Sequence, residues 1–217
     1  MKKVVALSTD KACNPINLYG ATKLCSDKLF ISANFLENNS ATNFSVVRYG
    51  NVMGSRGSVI PFFLNQKNTG QFTVTDKAMT RFMITLEQAV ELVTLALKDS
   101  IGGEIYISKI PSMKVVDIAK IIDNKNKIKF IGIRPGEKIH ESMISKEDSF
   151  YTYEYKKYFK ILPSFNNLYK DKNYIKNGKK VFANFEYNSK LNREWMNKNI
   201  LEKWIKNFLS SEDFGNI

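Results

Sequence analysis

Residues 3–23 read KVVALSTDKACNPINLYGATK, and their order of apolar and polar residues decides the fold. The short apolar run at residues 2–8 is typical of a strand buried in a parallel sheet. Asn-Pro at residues 14–15 is a turn signal, and the side chain of Asn17 can cap a following helix. Apolar residues then recur at helical spacing to about residue 36, so this stretch predicts a strand, a turn and a helix in succession.

The same alternation continues to about residue 150. Further strands are predicted at 44–49, 72–75, 104–107 and 127–133, and helices at 59–68, 86–98, 114–122 and 195–209. Strands that alternate with helices in this way indicate a parallel α/β sheet. Beyond residue 150 the pattern weakens. Four tyrosines between residues 151 and 158 follow a partial period of two, which is typical of a strand with one solvated face.

The composition of the 217-residue chain limits its class. Hydrophobic residues make up 43% and charged residues 25%, as in globular proteins, and no apolar run is long enough for a membrane span. The apolar stretch at the N-terminus is too short for a signal peptide. Cys13 and Cys25 lack the spacing of a metal site or a disulfide framework, so we expect a cytoplasmic protein without a metal ion.

Charge is the strongest compositional signal. The 33 Lys and Arg residues against 21 Asp and Glu residues give a net charge of +12, which favours anionic partners. Lysines in the tail, residues 151–217, alternate with Asn and Tyr and form neither a basic helical stripe nor a nucleic-acid motif. The simplest interpretation is therefore a set of solvated lysines, and nucleic acid is not the expected partner. A non-catalytic basic binding module stays open as an alternative.

Two acid–base pairs are predicted at the same edge of the sheet. Tyr19 and Lys23 lie four residues apart on the predicted helix and share one face, where an ammonium group favours the phenolate and makes it a usable base. Asp10 and Lys11 supply an acid and a base at the carboxyl end of the first strand, where open α/β sheets place their ligands. A second strand end, residues 48–52, brings a glycine and an amide to that edge.

These motifs resemble those of the extended short-chain dehydrogenase/reductases that act on nucleotide sugars. The stretch from Ser8 to Lys23 is similar to the inverting UDP-N-acetylglucosamine 4,6-dehydratases of the pseudaminic acid pathway. RYGNV at 48–52, GSRGSV at 54–59, MTRF at 79–82 and RPGEK at 134–138 continue the match. The resemblance implies an α/β fold, the C-terminal part of a Rossmann-like fold with a smaller α/β substrate lobe. The expected domains are residues 1–57, which end the cofactor-binding domain and carry the catalytic residues, and 58–217, which mainly bind the UDP-sugar.

The resemblance also implies a reaction. Tyr19, supported by Lys23, would take the proton from the C4 hydroxyl, to which Thr9 hydrogen-bonds, while hydride passes from C4 to NADP or NAD. Lys11 would abstract the C5 proton as Asp10 protonates the leaving C6 hydroxyl. Hydride then returns to C6, and reprotonation at C5 on the opposite face gives the inverted 4-keto-6-deoxy sugar. Retaining relatives carry Glu after the Asp, so Lys11 points to inversion.

The expected binding residues follow from the same resemblance. The nicotinamide end of the cofactor would meet Tyr19, Lys23, Tyr49, Gly50 and Val52. The UDP part of the substrate would meet Asn51, Arg56, Arg81, Arg134 and Glu137. Arginine forks suit bidentate contacts with a diphosphate, and a carboxylate such as that of Glu137 suits the ribose hydroxyls.

The chain departs from the family at the cofactor fingerprint. A dinucleotide-binding domain begins with Gly-x-Gly-x-x-Gly between a strand and a helix, and this sequence contains no such motif at a strand–helix junction. We therefore expect the C-terminal part of a truncated or split enzyme, inactive alone, whose first strand has an open edge and whose N-terminal Rossmann half could be encoded separately. The complete enzyme is expected to be a homo-oligomer. A UDP-sugar 4-epimerase or a retaining dehydratase of the same fold stays open.

Overall fold

The computed structural model describes residues 1–36, 42–55 and 57–210. Its strands are β1 (Lys3–Thr9), β2 (Asn43–Tyr49), β3 (Asn51–Val52), β4 (Gln71–Val74), β5 (Thr80–Ile84), β6 (Ile105–Ser108), β7 (Ser112–Lys114), β8 (Lys127–Phe130), β9 (Ser142–Ile144), β10 (Thr152–Glu154), β11 (Tyr158–Ile161), β12 (Lys179–Lys180) and β13 (Tyr187–Asn188). Its helices are α1 (Leu18–Ser32), α2 (Val59–Gln66), α3 (Leu86–Asp99), α4 (Val115–Ile122), α5 (Lys172–Ile175) and α6 (Lys198–Ser210). No helix within these ranges is long and apolar enough to cross a membrane.

The predicted helices and strands are present, and the differences concern their ends. The first helix stops at Ser32 and continues as a 3₁₀ turn over Ala33–Phe35. The strand predicted at 127–133 stops at Phe130, and Gly132 beyond it takes a φ of 82°, which a strand does not accommodate.

The interpretation of the tyrosine-rich segment as one strand with a solvated face was wrong. β10 and β11 form an antiparallel pair, and the rings of Tyr153 and Tyr155 are buried. Tyr155 stacks on Tyr158 with ring centroids 4.6 Å apart. These rings therefore serve the core of the protein, since burial leaves them no free face for a ligand.

The chain folds into two compact units, each assembled from three separate segments. The first unit comprises residues 1–50, 87–109 and 142–188. The second unit comprises residues 51–86 and 110–141 and the chain from residue 189 onward. The first change of unit, after Gly50, lies near the expected boundary at residue 57. The chain later returns to the first unit, which a contiguous division did not anticipate.

The first unit is built on a six-stranded sheet in the order β1-β2-β6-β11-β10-β12. Strands β1, β2 and β6 are parallel, as predicted, and β11, β10 and β12 extend the sheet in antiparallel pairs. In the register of β1 and β2, Ser8 lies beside Arg48 and Thr9 beside Tyr49. Both strands therefore end at the same edge of the sheet, where the predicted catalytic residues follow.

Strand β1 lies at the edge of this sheet. Among the strands that the structure describes, β1 pairs with β2 alone. The Leu7 side chain in β1 is 52% exposed. An edge strand with an exposed apolar side chain is a template for pairing with another strand, as the sequence led us to expect.

The second unit has smaller sheets around its own core. β3, β5 and β7 form a three-stranded sheet, and β4 and β8 form a parallel pair. Helices α2, α4 and α6 contribute to a core whose buried side chains include Ile60, Phe63, Phe72, Ile118 and Leu201. β3 pairs with β5 in parallel, so Asn51 and Val52 lie beside Met83 and Ile84.

Candidate active site

The acid–base pair predicted at the end of β1 is formed in the first unit. Asp10 opens a 3₁₀ turn directly after β1, and its side chain is completely buried. Nζ of Lys11 lies 3.0 Å from Oδ1 of Asp10, and Oγ1 of Thr9 donates to the same oxygen at 2.9 Å. Oδ2 of Asp10 is buried and accepts no hydrogen bond from the described part of the chain. A buried carboxylate oxygen normally has a partner, so an Oδ2 without one among the described residues distinguishes this site.

Helix α1 begins against the backbone of this turn. The side chain of Asn17 caps the helix by accepting a hydrogen bond from the amide of Gly20 at 2.8 Å, as predicted. Gly20 is buried, and a Cβ atom at this position would clash with the carbonyl oxygen of Lys11. A glycine is therefore required for the close approach between the first turn of α1 and the Asp10–Lys11 segment.

Tyr19 and Lys23 lie on this first part of α1. The phenol of Tyr19 is 53% exposed. Nζ of Lys23 donates to the carbonyl oxygen of Leu7 at 3.1 Å, so the ammonium group is hydrogen-bonded to the backbone near the end of strand β1. Burial, and next the phenol of Tyr19, raise the pKa of Tyr49.

The structure thus brings the predicted residues of the first unit to one edge of its sheet. Thr9, Asp10, Lys11, Tyr19, Lys23, Tyr49 and Gly50 all lie at the carboxyl ends of β1 and β2 or at the start of α1. The nicotinamide end of a cofactor fits an edge of this kind. It offers the exposed phenol of Tyr19, the hydrogen-bonded amine of Lys23, the half-buried ring of Tyr49 and the buried Gly50. Among the described residues, no group of His, Cys, Asp and Glu side chains could hold a metal ion.

In the second unit, Arg81 and Glu137 lie together. Oε2 of Glu137 accepts a hydrogen bond from Oγ1 of Thr75 at 3.0 Å, and its Oε1 lies 3.9 Å from Nη2 of Arg81. The side chain of Arg81 is only 8% exposed, and its Nη1 donates to the carbonyl oxygens of Thr80 at 2.7 Å and Ile139 at 3.1 Å. Arg81 is therefore engaged largely with the protein, which suits it to orienting Glu137.

The other residues expected to bind UDP differ in how available they are. Arg134 is exposed at the start of a turn in which the amide of Glu137 donates to its carbonyl oxygen at 3.1 Å. Oδ1 of Asn51 is buried and has no hydrogen-bond partner among the described residues. Arg56 lies outside the described residues. Arg134 is thus exposed, Oδ1 of Asn51 is buried without a partner among the described residues, and Nη1 of Arg81 is bound to the backbone.

Sequence reasoning missed the buried pair of Asp27 and Arg48. Nη2 of Arg48 lies 3.1 Å from Oδ2 of Asp27, which is 21 residues away in the sequence. A charged residue inside a helix is normally solvated, and no local pattern pairs it with a strand residue. The single available signal is the position of Asp27 four residues after Lys23 and eight after Tyr19, which places the three side chains on one helix face.

The first unit has the features of the extended short-chain dehydrogenase/reductases: parallel β1, β2 and β6, a catalytic-type Tyr and Lys on α1, and an acid at the end of β1. Residues 1–163 match the model of a family described as polysaccharide biosynthesis proteins, and the chain belongs to that family. The fold class predicted from the sequence is thereby confirmed.

Several proteins resemble the chain closely. It is 50% identical over 210 residues to the inverting UDP-N-acetylglucosamine 4,6-dehydratase of Campylobacter jejuni subsp. jejuni serotype O:2, which covers 93% of this chain and 63% of the relative. It is 41% identical over 192 residues to the UDP-glucose 4-epimerase of Rickettsia canadensis, which covers 86% of this chain and 56% of the relative. The solved structure of Pen from Bacillus thuringiensis superimposes with a TM-score of 0.80 at 37% identity, over 95% of this chain and 62% of that one. The chain thus spans less than two thirds of the length of each of these proteins.

Proposed function

We propose that this chain carries the acid–base machinery of an inverting UDP-N-acetylglucosamine 4,6-dehydratase. The observation that carries the proposal is the Asp10–Lys11 pair, with its two side chains 3.0 Å apart and the second carboxylate oxygen unpartnered. An elimination of water needs a base and an acid at neighbouring atoms of the substrate, and this pair supplies both. The 50% identity to a dehydratase of this type supports the same assignment.

Tyr19 and Lys23 would act at C4 of the hexose. Tyr19 takes the proton of the C4 hydroxyl, and the ammonium group of Lys23 stabilises the phenolate that receives it. Thr9 hydrogen-bonds the same hydroxyl. NADP, with NAD as the alternative, supplies a hydride acceptor and donor when it is bound beside Tyr49 and Gly50. Val52 would complete this binding set.

Asp10 and Lys11 would act at C5 and C6. Moving one proton from the ammonium group of Lys11 to Oδ1 of Asp10 across their 3.0 Å contact leaves a neutral amine and a carboxylic acid. The amine then takes the C5 proton, and the acid gives its proton to the departing C6 oxygen. The total charge of the pair is the same before and after this transfer, so it requires no new counter-ion in a buried site.

The nucleotide part of the substrate would bind to the second unit. Arg134 and Arg56 would contact the diphosphate, Asn51 would contact the nucleotide, and Glu137 would bind the ribose hydroxyls. Arg81 would contribute by holding the carboxylate of Glu137, from which its Nη2 lies 3.9 Å. These assignments are based on the resemblance to the family and on the contacts of each side chain in the structure.

The cofactor also needs a cradle for its adenine and pyrophosphate, and no Gly-x-Gly-x-x-Gly turn at a strand–helix junction exists among these 217 residues. We propose that another Rossmann segment, on the same polypeptide or on a separate one, supplies it and pairs with the open edge of β1. Without that segment the chain would be inactive. The complete enzyme would be a cytoplasmic homo-oligomer that serves pseudaminic acid and flagellin glycan synthesis.

The test is the stereochemistry of the product. The chain is assayed with UDP-N-acetylglucosamine and NADP in D₂O, alone and with a Rossmann segment supplied in trans, and the products are identified by NMR. We expect turnover only in the second case, to a 4-keto-6-deoxy sugar inverted at C5 and carrying deuterium there. Lys11→Glu should stop inversion, and Lys28→Glu on the exposed side of α1 should not.

Other products would contradict the assignment in specific ways. Formation of the C4 epimer would favour the epimerase alternative, which the Rickettsia relative supports. A product with retained C5 configuration would refute the role of Lys11. Turnover by the 217-residue chain alone would refute the need for a further segment.

A further inference from the structure

Helix α1 has two buried positions. Within α1, every residue of which the structure describes, the buried residues are Gly20 and Asp27. The apolar side chains of Leu18 and Leu29 are instead 80% and 72% exposed. A surface helix normally attaches through an apolar stripe, and here a glycine and a carboxylate occupy the buried positions.

The carboxylate of Asp27 is held by Arg48 of β2. Nη2 of Arg48 lies 3.1 Å from Oδ2 of Asp27, and the two side chains are 3% and 2% exposed. Nη1 of Arg48 donates to the carbonyl oxygen of Met143 at 2.7 Å and lies 3.6 Å from Oδ2 of Asp148. Burial alone lowers the pKa of Arg48, but the interactions with Cys13, Asp148 and Asp27 outweigh it and raise that pKa. The guanidinium group therefore stays charged and joins three chain segments.

The pair lies where it can set the rotation of α1. Tyr19, Lys23 and Asp27 stand at positions i, i+4 and i+8, so they share one face of the helix. Arg48 directly precedes Tyr49 in β2 and lies beside Ser8 of β1. Its backbone therefore lies at the sheet edge where β1 and β2 end and the acid–base residues follow. Fixing Asp27 to this strand turns the face that carries Tyr19 and Lys23 toward that edge.

We propose that Arg48 is a positioning residue, which acts through Asp27 to hold Tyr19 and Lys23 at the carboxyl ends of β1 and β2. The proposal rests on the proposed function for the chemical roles of Tyr19 and Lys23. A planar guanidinium with several donors can bind a carboxylate and a carbonyl oxygen in fixed directions, which an ammonium group cannot. Substitution of Arg48 should therefore change the orientation of α1 more than it changes the stability of this helix.

The first test reports on Tyr19 without requiring activity. The full chain is labelled with 3-fluorotyrosine, which gives signals from its 10 tyrosines, and the ¹⁹F signal of Tyr19 is assigned by its loss in Tyr19→Phe. We expect Asp27→Asn to shift or split the Tyr19 signal. The matched control is Asp99→Asn, which breaks the pair of Asp99 with buried Lys160 elsewhere in the same unit and should leave the Tyr19 signal unchanged.

Stability is measured beside the spectra to separate orientation from folding. If Asp27→Asn lowers the melting temperature as the control does and leaves the Tyr19 signal unmoved, the pair is merely structural and the proposal fails. If Asp27→Asn does not fold, Arg48→Lys replaces it, because this variant keeps the buried positive charge. The ¹⁹F signal of Tyr19 should then move in Arg48→Lys. The double variant Arg48→Met with Asp27→Leu should melt near the unmodified chain and still shift Tyr19, since apolar residues can replace a buried pair without loss of stability.

The second test uses the enzyme assembled with its Rossmann segment. Asp27→Asn should lower kcat by about 100-fold with little change in KM, as expected when a catalytic group is displaced by about 1 Å. Arg48→Lys should also lower kcat, by a smaller factor, because lysine keeps the charge but not the fixed directions of the guanidinium donors. An unchanged kcat in Asp27→Asn would overturn the proposal. If the unmodified assembly shows no dehydratase activity, the proposed function fails, and the ¹⁹F signal still decides the positioning role.

Discussion

The ammonium nitrogen of Lys11 and Oδ1 of Asp10 lie 3.0 Å apart, although the carboxylate is wholly buried and the lysine is one-third exposed. Burial of a charge is costly unless it is paired and hydrogen-bonded, and here one oxygen is paired while the other is not. The buried carboxylate of Asp10 therefore disfavours folding. Such a state is expected where a residue is retained for chemistry and not for stability.

Asp10→Asn should separate these two roles. We expect the free energy of unfolding to rise by about 1 kcal/mol, because the variant removes a buried charge with an unpartnered oxygen while Lys11 can turn toward water. Dehydratase turnover of the assembled enzyme should disappear. Urea unfolding and product assays measure the two effects, and a loss of stability of the size expected for Asp99→Asn would contradict this account.

Gly20→Ala should displace the first turn of α1. A Cβ atom at this position would overlap the carbonyl oxygen of Lys11, so the helix or the 3₁₀ turn must move, at a cost of about 1–3 kcal/mol. Thermal unfolding and the ¹⁹F signal of Tyr19 should both change. Lys28→Ala, on the exposed side of the same helix, is the control and should change neither. An unshifted Tyr19 signal in Gly20→Ala would show that the close approach is not required.

Acid should weaken the first unit through Asp99. Burial by itself raises the pKa of Asp99, but hydrogen bonds from Lys176, Tyr106 and Lys160 outweigh it and lower that pKa to about 2. The pKa of a free aspartate is near 3.9, so the folded state binds this proton more weakly than the unfolded state does. The stabilisation is therefore present above about pH 4 and is lost as the pH falls toward 2.

Asp99→Asn tests this dependence. Because Lys160 is buried, breaking the pair should lower the free energy of unfolding by about 3 kcal/mol at pH 7. The difference from the unmodified chain should shrink as the pH is lowered from 5 to 2 in urea titrations. Glu91→Gln, an exposed carboxylate of the same helix, should show no such trend. A difference that stays constant with pH would contradict the role of Asp99.

Arg134 and Arg81 should respond differently to substitution. Arg134→Ala should weaken UDP binding by about tenfold, the loss of one charge-assisted contact, and leave the melting temperature unchanged. Arg81→Ala should lower the melting temperature, because it removes the donors to the carbonyl oxygens of Thr80 and Ile139. Calorimetry with UDP and thermal unfolding measure these effects, with Lys129→Ala as an exposed control. Equal behaviour of the two arginine variants would refute the distinction.

The sequence by itself determined the local structure around the site. The apolar run of β1, the Asn17 cap and the helical spacing of α1 lie within one short stretch, so each element could be predicted from neighbours a few residues away. The pairing of Asp10 with Lys11 follows from adjacency at a strand end. The fold class was therefore predictable from the order of residues, whereas the catalytic roles proposed for this stretch come from the resemblance of its motifs.

The tertiary structure decided the partners that lie far apart in the sequence. It paired Asp27 with Arg48 across 21 residues, engaged Arg81 with the backbone at Ile139, and buried Tyr153 in an antiparallel strand pair. No periodic or motif signal identifies the partners in these contacts, because a long-range pair depends on how strands and helices pack and not on neighbouring residues. Whether a charged side chain meets a ligand or the protein itself is settled by that packing.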